Sequence, residues 1–467
     1  MTRVVLINPP VEKIKEEHDA PAHGHIGLAY LAATLRQSSI KTTIIDAKLS
    51  RLSMEEVLDS VSKLSPELIG ITSFSHEINI SAKLASKIKE RMSGSTIVAG
   101  GPHASSLPEE TLKNFGAFDY LVKGEGEHSI VALAKAVLNS EKKAIPGIPG
   151  VGYRQGGQIT VTPKADWIKD LDALPFPAWD LFPEMTVFPV ISSRGCPFKC
   201  VFCMKMLGDR IRLRSPENVI AELQMLHKSF GAKDVVFYDE TFGFKKTWLG
   251  QFLDGLMSSR LNQELKWGMI TRAHVLTREL LQRFKRAGCV KIDFGVESGN
   301  DRILEIIRKG ETKEDFIRAA RLIKQAGIKS HSYYILGHPY ETKATAKETI
   351  DFAAKLNTDY ISIGIMIPYP GTEVARLASL GQAGYRKISS DWADYNKQLG
   401  KAIELDSLSA AELTRLQMVG YLKFYLTNFK VLPFVKNLWK YRKLVLAILK
   451  KYVSQVKTNQ VATQGTS

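Results

Sequence analysis

The sequence is short of cysteine and of long apolar runs, and each shortage excludes a class of protein. Four of 467 residues are cysteines, too few for a small secreted scaffold held together by disulfides. No uncharged apolar run reaches the roughly 18 residues that a membrane-spanning helix needs, so none is expected. The first residues lack the apolar region of a signal peptide, so we expect a cytoplasmic protein.

Acidic residues are missing from the C-terminal end. None follows Glu412, whereas ten lysines and arginines do, and these supply most of the net charge of +16. An apolar stripe at helical spacing runs opposite several of these lysines. It consists of Phe434, Leu438, Tyr441, Val445, Ile448 and Tyr452. The pattern predicts an amphipathic basic helix that either packs on the core or lies peripherally on the inner face of the membrane. Nucleic acid is not an expected partner, because the stripe lacks aromatics spaced to stack bases.

The first 140 residues alternate β-branched strand candidates with amphipathic helical stretches. The strand candidates are residues 3–7, 42–45, 68–72, 95–99 and 120–122. Nearly continuous apolar strands separated by helices predict a parallel sheet covered on both faces. We therefore expect an α/β fold that begins with a doubly wound, flavodoxin-like domain over residues 1–140. Residues 141–183, rich in proline and glycine, are expected to form a linker.

Strand and helix candidates alternate again between residues 184 and 402. The strand candidates are residues 187–192, 234–238, 266–270, 291–296, 329–336 and 360–367. Their number predicts a partial (β/α)6 barrel with its chemistry at the C-terminal ends of the strands. Residues 403–457 are expected to be a helical segment that includes the basic helix. The polar residues 458–467 are expected to be a disordered tail.

Three cysteines, Cys196, Cys200 and Cys203, stand close together directly after the first barrel strand. A loop at this position can bring three thiolates around one inorganic cluster. A [4Fe-4S] cube held by three thiolates keeps one iron open to another molecule. A zinc site with a distant fourth ligand is the alternative, although zinc knuckles favour C-x2-C pairs. The fourth cysteine, Cys289, lies at an apolar strand and is expected to be a core residue.

The spacing C-x3-C-x2-C after the first strand of such a barrel resembles the signature of the radical SAM superfamily. The resemblance covers about residues 185–400. It implies a [4Fe-4S] cluster whose open iron binds the amino and carboxylate groups of S-adenosyl-L-methionine (SAM). It further implies cleavage of SAM to a 5′-deoxyadenosyl radical, with electrons from a donor such as flavodoxin or ferredoxin.

Polar residues at the ends of later strands fit the same resemblance. Asp239 and Glu240 match the position where the family holds the SAM amino group, and a carboxylate there would pair with an ammonium. Glu297 and Ser298 match the polar position that faces the SAM ribose or carboxylate.

The fifth barrel strand and the turn after it carry further candidates. The turn resembles the family's G-x-P-x-E-T motif through Gly337 and Pro339, and it departs at Tyr340, where a glycine is common. Side chains on the strand could reach substrate, although alternation sends neighbours to opposite faces. The candidates for this catalytic role are His331, Tyr333 and Tyr334.

The resemblance extends to the first domain, which looks like the cobalamin-binding domain of a subgroup of this superfamily. Doubly wound sheets bind ligands at C-terminal strand ends, where glycines let the backbone approach a bulky nucleotide tail. The candidate contacts are Asn8, Pro9, Thr72, Ser73, Gly100, Gly101, His103, Gly124, Glu125, Gly126 and Glu127. For His103, a contact with the cofactor and a position on the surface are equally expected. A flavodoxin-like domain without a ligand is the alternative. The D-x-H-x-x-G pattern that supplies a cobalt-ligating histidine elsewhere is absent.

Relatives of this kind methylate unactivated carbons, drawing the methyl group through cobalamin from one SAM and the radical from a second. Others close or rearrange rings without methyl transfer, so both reactions stay open. The acid-free C-terminal end favours a lipid as the substrate over other small molecules.

Three other functions fit less of the sequence. An RNA-modifying methylthiotransferase would need a second cluster from upstream cysteines, and residues 1–195 contain none. A peptide-maturing enzyme with auxiliary clusters would need cysteines after Cys289, where there are none. A non-enzymatic cobalamin or iron–sulfur carrier would leave the motifs at Asp239, Glu297 and Gly337 unexplained.

Overall fold

The structure, a computed structural model, describes residues 2–11, 22–397 and 401–430. The first sheet is built from strands β1 (Val4–Asn8), β2 (Thr42–Asp46), β3 (Leu68–Thr72), β4 (Thr96–Gly100), β5 (Tyr120–Val122), β6 (Val151–Gln155) and β7 (Gln158–Val161). Their order is β2-β1-β3-β4-β5-β6-β7, and β1 to β5 are parallel. The order 2-1-3-4-5 confirms the predicted flavodoxin-like fold.

Helices cover both faces of this sheet. They are α1 (Ile26–Gln37), α2 (Met54–Leu64), α3 (Ile78–Arg91), α4 (Gly101–Ser106), α5 (Pro108–Asn114) and α6 (Glu127–Leu138). Alternate residues of β1 enter opposite cores: Val4 and Leu6 pack with α1 and α6, whereas Val5 and Ile7 pack with α2 and α3. Burial on both faces explains why the strands are almost wholly apolar.

The predicted linker contains a hairpin that the sequence analysis missed. Strand β6 pairs antiparallel with both β5 and β7, so the hairpin extends the first sheet. Gly156 and Gly157 form its turn with φ of +57° and +80°. Such positive φ angles suit the two-residue turns that match strand twist. The bounds proposed for the linker and the domains remain predictions.

The second part of the chain contains strands β8 (Val187–Val190), β9 (Ser193–Arg194), β10 (Arg212–Leu213), β11 (Asp234–Phe237), β12 (Lys266–Ile270), β13 (Cys289–Glu297), β14 (Lys329–Leu336) and β15 (Tyr360–Ile365). All except β9 and β10 form one parallel sheet of order β15-β14-β13-β12-β11-β8. Sequential parallel order confirms the predicted partial (β/α)6 barrel.

Helices cover the outer side of the barrel sheet. They are α7 (Pro216–Phe230), α8 (Lys246–Ser258), α9 (Leu261–Glu264), α10 (Arg278–Arg286), α11 (Asp301–Ile306), α12 (Lys313–Gln325), α13 (Lys343–Leu356) and α14 (Glu373–Ser379). Helix α7 begins at Pro216, because the Ser215 side chain accepts from the Asn218 N–H and Pro216 suits the first turn. It ends at Gly231, whose φ is +64°.

A short antiparallel pair closes the base of the cysteine loop. Strand β9 pairs Ser193 with Leu213 and Arg194 with Arg212 on β10. Gly195 follows immediately with φ of +93°. A methyl group added there would overlap the Arg210 carbonyl oxygen. The loop therefore leaves β9 by a turn that glycine alone accommodates without strain.

The C-terminal segment departs from the predicted helix over residues 403–457. Strands β16 (Tyr385–Ile388) and β17 (Ile403–Leu405) pair antiparallel, and helix α15 (Ala410–Thr427) begins seven residues later than expected. Ser409 and Glu412 cap it reciprocally. Among the helices that the structure describes, none has the length and hydropathy to cross a bilayer. The predicted basic helix and the tail 458–467 lie outside the described residues.

Replacing Gly195 with alanine should destabilise the protein more than replacing Gly156. A methyl group added at Gly156 meets no atom within 4 Å, so Gly156→Ala should lower the free energy of unfolding only by the cost of its left-handed dihedral, about 1 kcal/mol. Gly195→Ala adds an overlap with backbone, so we expect a loss of about 3 kcal/mol. Urea unfolding of both variants measures the difference, and equal losses would contradict the strained turn.

Candidate active site

The three cysteines lie on a loop whose path is fixed by backbone hydrogen bonds. The Cys196 N–H donates to the Gly208 carbonyl at 3.1 Å, and the Cys203 N–H donates to the Cys200 carbonyl at 3.2 Å. The Cys200 Sγ lies 3.7 Å from the Arg308 carbonyl oxygen. The loop thus curls back on itself at the C-terminal end of β8, as the cluster prediction requires.

Positive charge gathers beside Cys200. A hydrogen bond from Cys203 lowers the pKa of the Cys200 thiol to about 6, against its burial and with help from Lys309 and Arg272. The same hydrogen bond and burial raise the pKa of Cys203. The Arg272 guanidinium lies 3.7 Å over the Phe198 ring of the loop. The two cations favour the thiolate of Cys200, and the thiolate is the form in which cysteine binds metal.

A buried ionic network supports these cations. Lys309 Nζ lies 3.1 Å from Glu297 Oε1 and 3.6 Å from Glu311 Oε2, and Arg272 lies 3.2 Å from the same Glu311 oxygen. Glu297 has φ of +67° at the end of β13, and its carboxylate folds over Gly295, where a side chain would collide with it. Glu297 is therefore paired with Lys309 and lies close to the cysteine loop.

The donor set fits an iron–sulfur cluster better than a single ion. Three thiols on one loop beside two cations suit a cluster, which carries negative charge from its sulfides and thiolates. Within residues 2–11, 22–397 and 401–430, no three His, Cys, Asp or Glu side chains stand close enough together for one metal ion. The zinc alternative thus has no ready ligand set in that part of the chain.

The two acids after β11 have different surroundings. Asp239 is buried, and its Oδ1 accepts the N–H groups of Ser192 at 2.7 Å and Ser193 at 3.1 Å. Burial raises the pKa of Asp239 to about 6. Its carboxylate is thus committed to the backbone that leads into the cysteine loop. Glu240 is exposed beside the backbone N–H of Gly195, so it is the freer of the two for a SAM ammonium.

Ser298 faces a helix and not the cysteine loop. Its hydroxyl lies 3.1 Å from Thr349 Oγ1 on α13 and accepts the Asn300 N–H at 3.2 Å. The residue is fully buried. Its role in the structure is to fix the turn after β13, which departs from the predicted contact with SAM.

The turn after β14 is held by a buried side chain. The buried Glu341 carboxylate accepts the N–H groups of Gly337 and His338, the latter at 3.2 Å. Pro339 is buried in the same turn, and Gly337 has φ of +96°. Tyr340, which replaces the family's common glycine, has φ of +60° and is exposed. The left-handed backbone explains why glycine is usual there.

The candidates on β14 divide between its two faces. Tyr334 is buried in the core between sheet and helices, which removes it from the candidate catalytic residues. Tyr333 and His331 lie on the opposite face, toward the barrel interior, with ring centroids 4.4 Å apart. The Tyr333 hydroxyl donates to Asp293 Oδ2 at 2.8 Å. Lys291 Nζ lies 3.1 Å from the same oxygen. Lys291 and Asp293 could not be predicted as site residues from the sequence, because their contacts with side chains of β14 form only when β13 and β14 pair.

Cys289 is buried at the start of β13, where its Sγ lies 3.7 Å from the Lys291 carbonyl oxygen. Burial raises the pKa of this thiol to about 12. A neutral buried thiol agrees with the expectation of a core residue.

At the C-terminal edge of the first sheet, the turn after β1 is held by side-chain hydrogen bonds. The Asn8 amide donates to Asp46 Oδ1 at 2.7 Å, and Asp46 Oδ2 accepts the His25 N–H at 3.0 Å. Pro9 is buried next to Asn8. His25 Nδ1 accepts the Leu28 N–H and caps α1. These contacts fix the backbone of the turn after β1 at the C-terminal edge of the sheet.

The next two turns leave open space. The Ser73 N–H donates to the Gly100 carbonyl at 3.1 Å, which ties the ends of β3 and β4 together. A methyl group added at Gly101 would lie 2.6 Å from Thr72 Oγ1 and 2.8 Å from Ser73 N. One added at Gly100 would meet nothing within 4 Å. The backbone at Gly101 therefore packs closely on the turn after β3, whereas the space beside Gly100 is open.

Several buried polar atoms at this edge lack a hydrogen-bond partner among the described residues. They are Ser73 Oγ, Ser75 Oγ, His76 Nδ1 and His103 Nδ1. His103 is buried 4.8 Å from the Trp392 ring, and burial lowers its pKa to about 4, so it is not a surface residue. Unmet hydrogen-bonding groups beside open glycines fit a ligand rich in amides, as cobalamin is.

The turn after β5 lies at the same edge, but its two acids are paired with an arginine of the second part of the chain. Gly124 donates its N–H to Ser105 Oγ at 3.0 Å, and Gly126 packs on Leu31 and Val122. The carboxylates of Glu125 and Glu127 are buried in ion pairs with Arg194, at 2.9 and 2.7 Å. The expected cobalamin contact through these two acids is therefore replaced by a contact with the cysteine loop. Sequence reasoning missed Arg194, and only its place directly before Gly195 hinted at a role.

His23 also joins the two sheets. Its Nε2 lies 2.7 Å from the Tyr238 hydroxyl at the end of β11. Tyr238 is half-exposed and lies near Asp293 and Tyr333. The ligand edge of the first sheet and the mouth of the barrel therefore face each other.

Comparisons with known proteins agree with this arrangement. The profile of the radical SAM superfamily matches residues 190–353, and that of the B12 binding domain matches residues 20–134. A solved structure of the radical SAM methyltransferase TsrM from Kitasatospora setae, with cobalamin and a [4Fe-4S] cluster, has a TM-score of 0.71 and 20% sequence identity over 91% of both chains. At that identity the likeness concerns the fold.

Two curated relatives align over most of their length. An uncharacterized methyltransferase of Pyrococcus horikoshii is 33% identical over 439 residues, which cover 91% of this chain and 92% of the relative. The anaerobic magnesium-protoporphyrin IX monomethyl ester cyclase of Rubrivivax gelatinosus is 27% identical over 442 residues, which cover 91% of this chain and 78% of the relative. The two profiles confirm the expected cofactors, a [4Fe-4S] cluster, SAM and cobalamin. The chain thus belongs to the family of radical SAM enzymes that carry a B12 binding domain.

Proposed function

We propose that this protein methylates an unactivated carbon of a small-molecule or lipid substrate. The observation that carries the proposal is that the ligand edge of the first sheet meets the cysteine loop, through Arg194 with Glu125 and Glu127 and through His23 with Tyr238. Cobalamin bound at the first sheet and SAM bound at the cysteine loop would therefore face a common space. When bound, the cluster with SAM would supply the radical and cobalamin the methyl group.

The residues around the cysteine loop have separable roles in this proposal. Cys196, Cys200 and Cys203 would hold the cluster, which a donor such as flavodoxin or ferredoxin would reduce. Glu240 would accept the SAM ammonium, because its carboxylate is exposed beside Gly195. Asp239 would act indirectly, by holding the backbone before the loop.

The barrel interior offers polar contacts for substrate. Tyr333, His331 and Asp293 form a connected group that also includes Lys291, whose Nζ lies 3.4 Å from His331 Nδ1. Burial lowers the pKa of His331 to about 4, so the ring is neutral near pH 7. We propose that Tyr333 and His331 orient a polar part of the substrate inside the barrel.

Methyl transfer is favoured because the relative from Pyrococcus horikoshii, which aligns over nearly its whole length, is named a methyltransferase. Ring closure is the second candidate, because the cyclase of Rubrivivax gelatinosus aligns over 91% of this chain at lower identity. A labelled methyl group distinguishes the two reactions.

Cys200→Ala should remove both the cluster and SAM cleavage, whereas Cys289→Ala should preserve both. Wild-type protein reconstituted without oxygen should carry about four irons per chain. Iron analysis and release of 5′-deoxyadenosine from SAM measure the two effects, and we expect cleavage by Cys200→Ala to fall at least roughly 100-fold, since one iron loses its thiolate. Loss of iron from Cys289→Ala would mean that the wrong thiols are assigned.

Protein loaded with cobalamin should transfer an intact trideuteromethyl group from labelled SAM to a compound in a lipid extract. The incubation needs a reductant and exclusion of oxygen, and mass spectrometry reads the product. Cobalamin-free protein should still cleave SAM but yield no labelled product. A product that loses two hydrogens without gaining label would favour ring closure instead.

We further propose that the C-terminal end contacts an anionic membrane surface. Val419, Leu422, Leu426 and Phe429 are exposed by 41, 44, 57 and 90%, at helical spacing along one side of α15 and just beyond it. Acid-free, basic sequence follows directly. Each lysine near an anionic surface contributes about 1 kcal/mol, which suits reversible peripheral binding.

Full-length protein should float with anionic vesicles at low salt, and a chain ending before Pro433 should not. Flotation should fall at high salt, because screening weakens the lysine contribution. A Leu426→Ser/Phe429→Ser double variant should bind less tightly at equal charge. If full-length protein stays unbound at low salt, the membrane proposal is wrong.

A further inference from the structure

We propose that Glu125 and Glu127, two carboxylates of the first domain, position the cysteine loop of the barrel. The inference rests on the proposed function, because it takes Cys196, Cys200 and Cys203 as the cluster ligands. It assigns to the first domain a second task beyond cobalamin binding, namely to keep the cluster loop in its binding shape.

A single carboxylate bridges both ends of the loop. Glu125 Oε1 lies 2.9 Å from Arg194 Nη1, and Glu125 Oε2 lies 2.8 Å from Arg212 Nη1. Arg194 precedes the loop and Arg212 follows it, and the two residues pair directly across β9 and β10. Glu125 therefore clamps the base of the loop from outside the barrel.

The second carboxylate completes the charge balance. Glu127 Oε1 lies 2.7 Å from Arg194 Nη2, so that both ends of the guanidinium are held. The side chains of Arg194, Glu125, Glu127 and Arg212 are only 6, 2, 6 and 12% exposed. Water cannot readily replace either acid at such burial, so the loop depends on the first domain for these contacts.

Further contacts continue the clamp along the loop. Arg212 donates to the carbonyl oxygens of Ile168 at 2.6 Å and Leu207 at 2.7 Å. The Ile168 N–H in turn donates to Glu125 Oε2 at 2.8 Å. The Ser106 hydroxyl of α4 lies 3.9 Å from the Met206 sulfur. The part of the loop that leads back to β10 is thus held by three segments: the turn with Glu125, the backbone at Ile168, and helix α4.

A neighbouring ion pair provides a matched control, because it is equally buried and lies next to the base of the loop, but its carboxylate pairs with neither Arg194 nor Arg212. Arg214 pairs with Glu222 on α7, and their side chains are 4 and 0% exposed. Arg214 also lies 3.4 Å from the hydroxyl of Tyr30 in the first domain. Neutralising Glu222 therefore perturbs the same interface while the ion pairs of Arg194 and Arg212 with the first domain are kept.

The test compares full-length Glu125→Gln and Glu222→Gln after anaerobic reconstitution with iron, sulfide and cobalamin. Iron content and the electron paramagnetic resonance of the reduced cluster report on the loop. The absorbance of bound corrinoid reports on the first domain, and the melting temperature reports on overall stability. We expect Glu125→Gln to lose at least about threefold in iron and in the SAM-induced change of the resonance signal, with corrinoid binding unchanged. Glu222→Gln should melt earlier but keep its iron.

Each other outcome overturns the inference. Wild-type iron and an unchanged signal in Glu125→Gln would mean that the clamp does not position the loop. Parallel loss of iron and corrinoid in both variants would show a general effect on folding. If Glu125→Gln does not fold, Glu127→Gln replaces it in the test: it should lose iron relative to the wild type with corrinoid binding unchanged, and wild-type iron in this variant would overturn the inference. Wild-type protein that binds no cluster at all would overturn the proposed function together with the clamp.

Discussion

Arg194 links the two α/β units at the place where both present their ligand-binding ends. Its guanidinium is buried between two carboxylates of the first domain, and the cysteine loop begins at the next residue. Burial of charges is costly, and only near-ideal geometry with complete pairing offsets the desolvation. Removing one partner of such a pair costs about 3–5 kcal/mol. These ion pairs, together with the contact between His23 and Tyr238, hold the two sheets and hence the two cofactor edges in their relative position.

The same use of buried acids recurs around the barrel mouth. Asp239 holds the backbone N–H groups that precede the loop, and Glu341 holds those of the turn after β14. Glu297 and Glu311 neutralise Lys309 and Arg272 beside Cys200. Acids at strand ends therefore serve first to fix backbone and cations, and the exposed Glu240 is left as the carboxylate most available to a ligand.

Much of the fold follows from the sequence because its signals are local. Apolar runs between amphipathic stretches predict the parallel strands, and the closely spaced cysteines predict the cluster loop. The hairpin at Gly156 could not be predicted, because its two strands are short and the surrounding sequence is rich in glycine and proline. Glu125, Ser298 and Tyr334 were assigned to ligands or catalysis from their place in motifs. The partners of Glu125 and Ser298 lie 69 and 51 residues away along the chain, and Tyr334 lies on the core face of its strand, so only the assembled fold shows these contacts.

The distance along the chain between the two sides of the clamp also fixes an order of assembly. The first sheet is complete at Val161, whereas Glu125 awaits partners that lie 69 and 87 residues farther along. During synthesis the first domain can therefore fold while both carboxylates are still hydrated at its surface. They lose their water only when the base of the cysteine loop emerges and pairs with them. The loop can thus close onto a domain that has already folded, and the first domain would then serve as the template for the metal site that follows it.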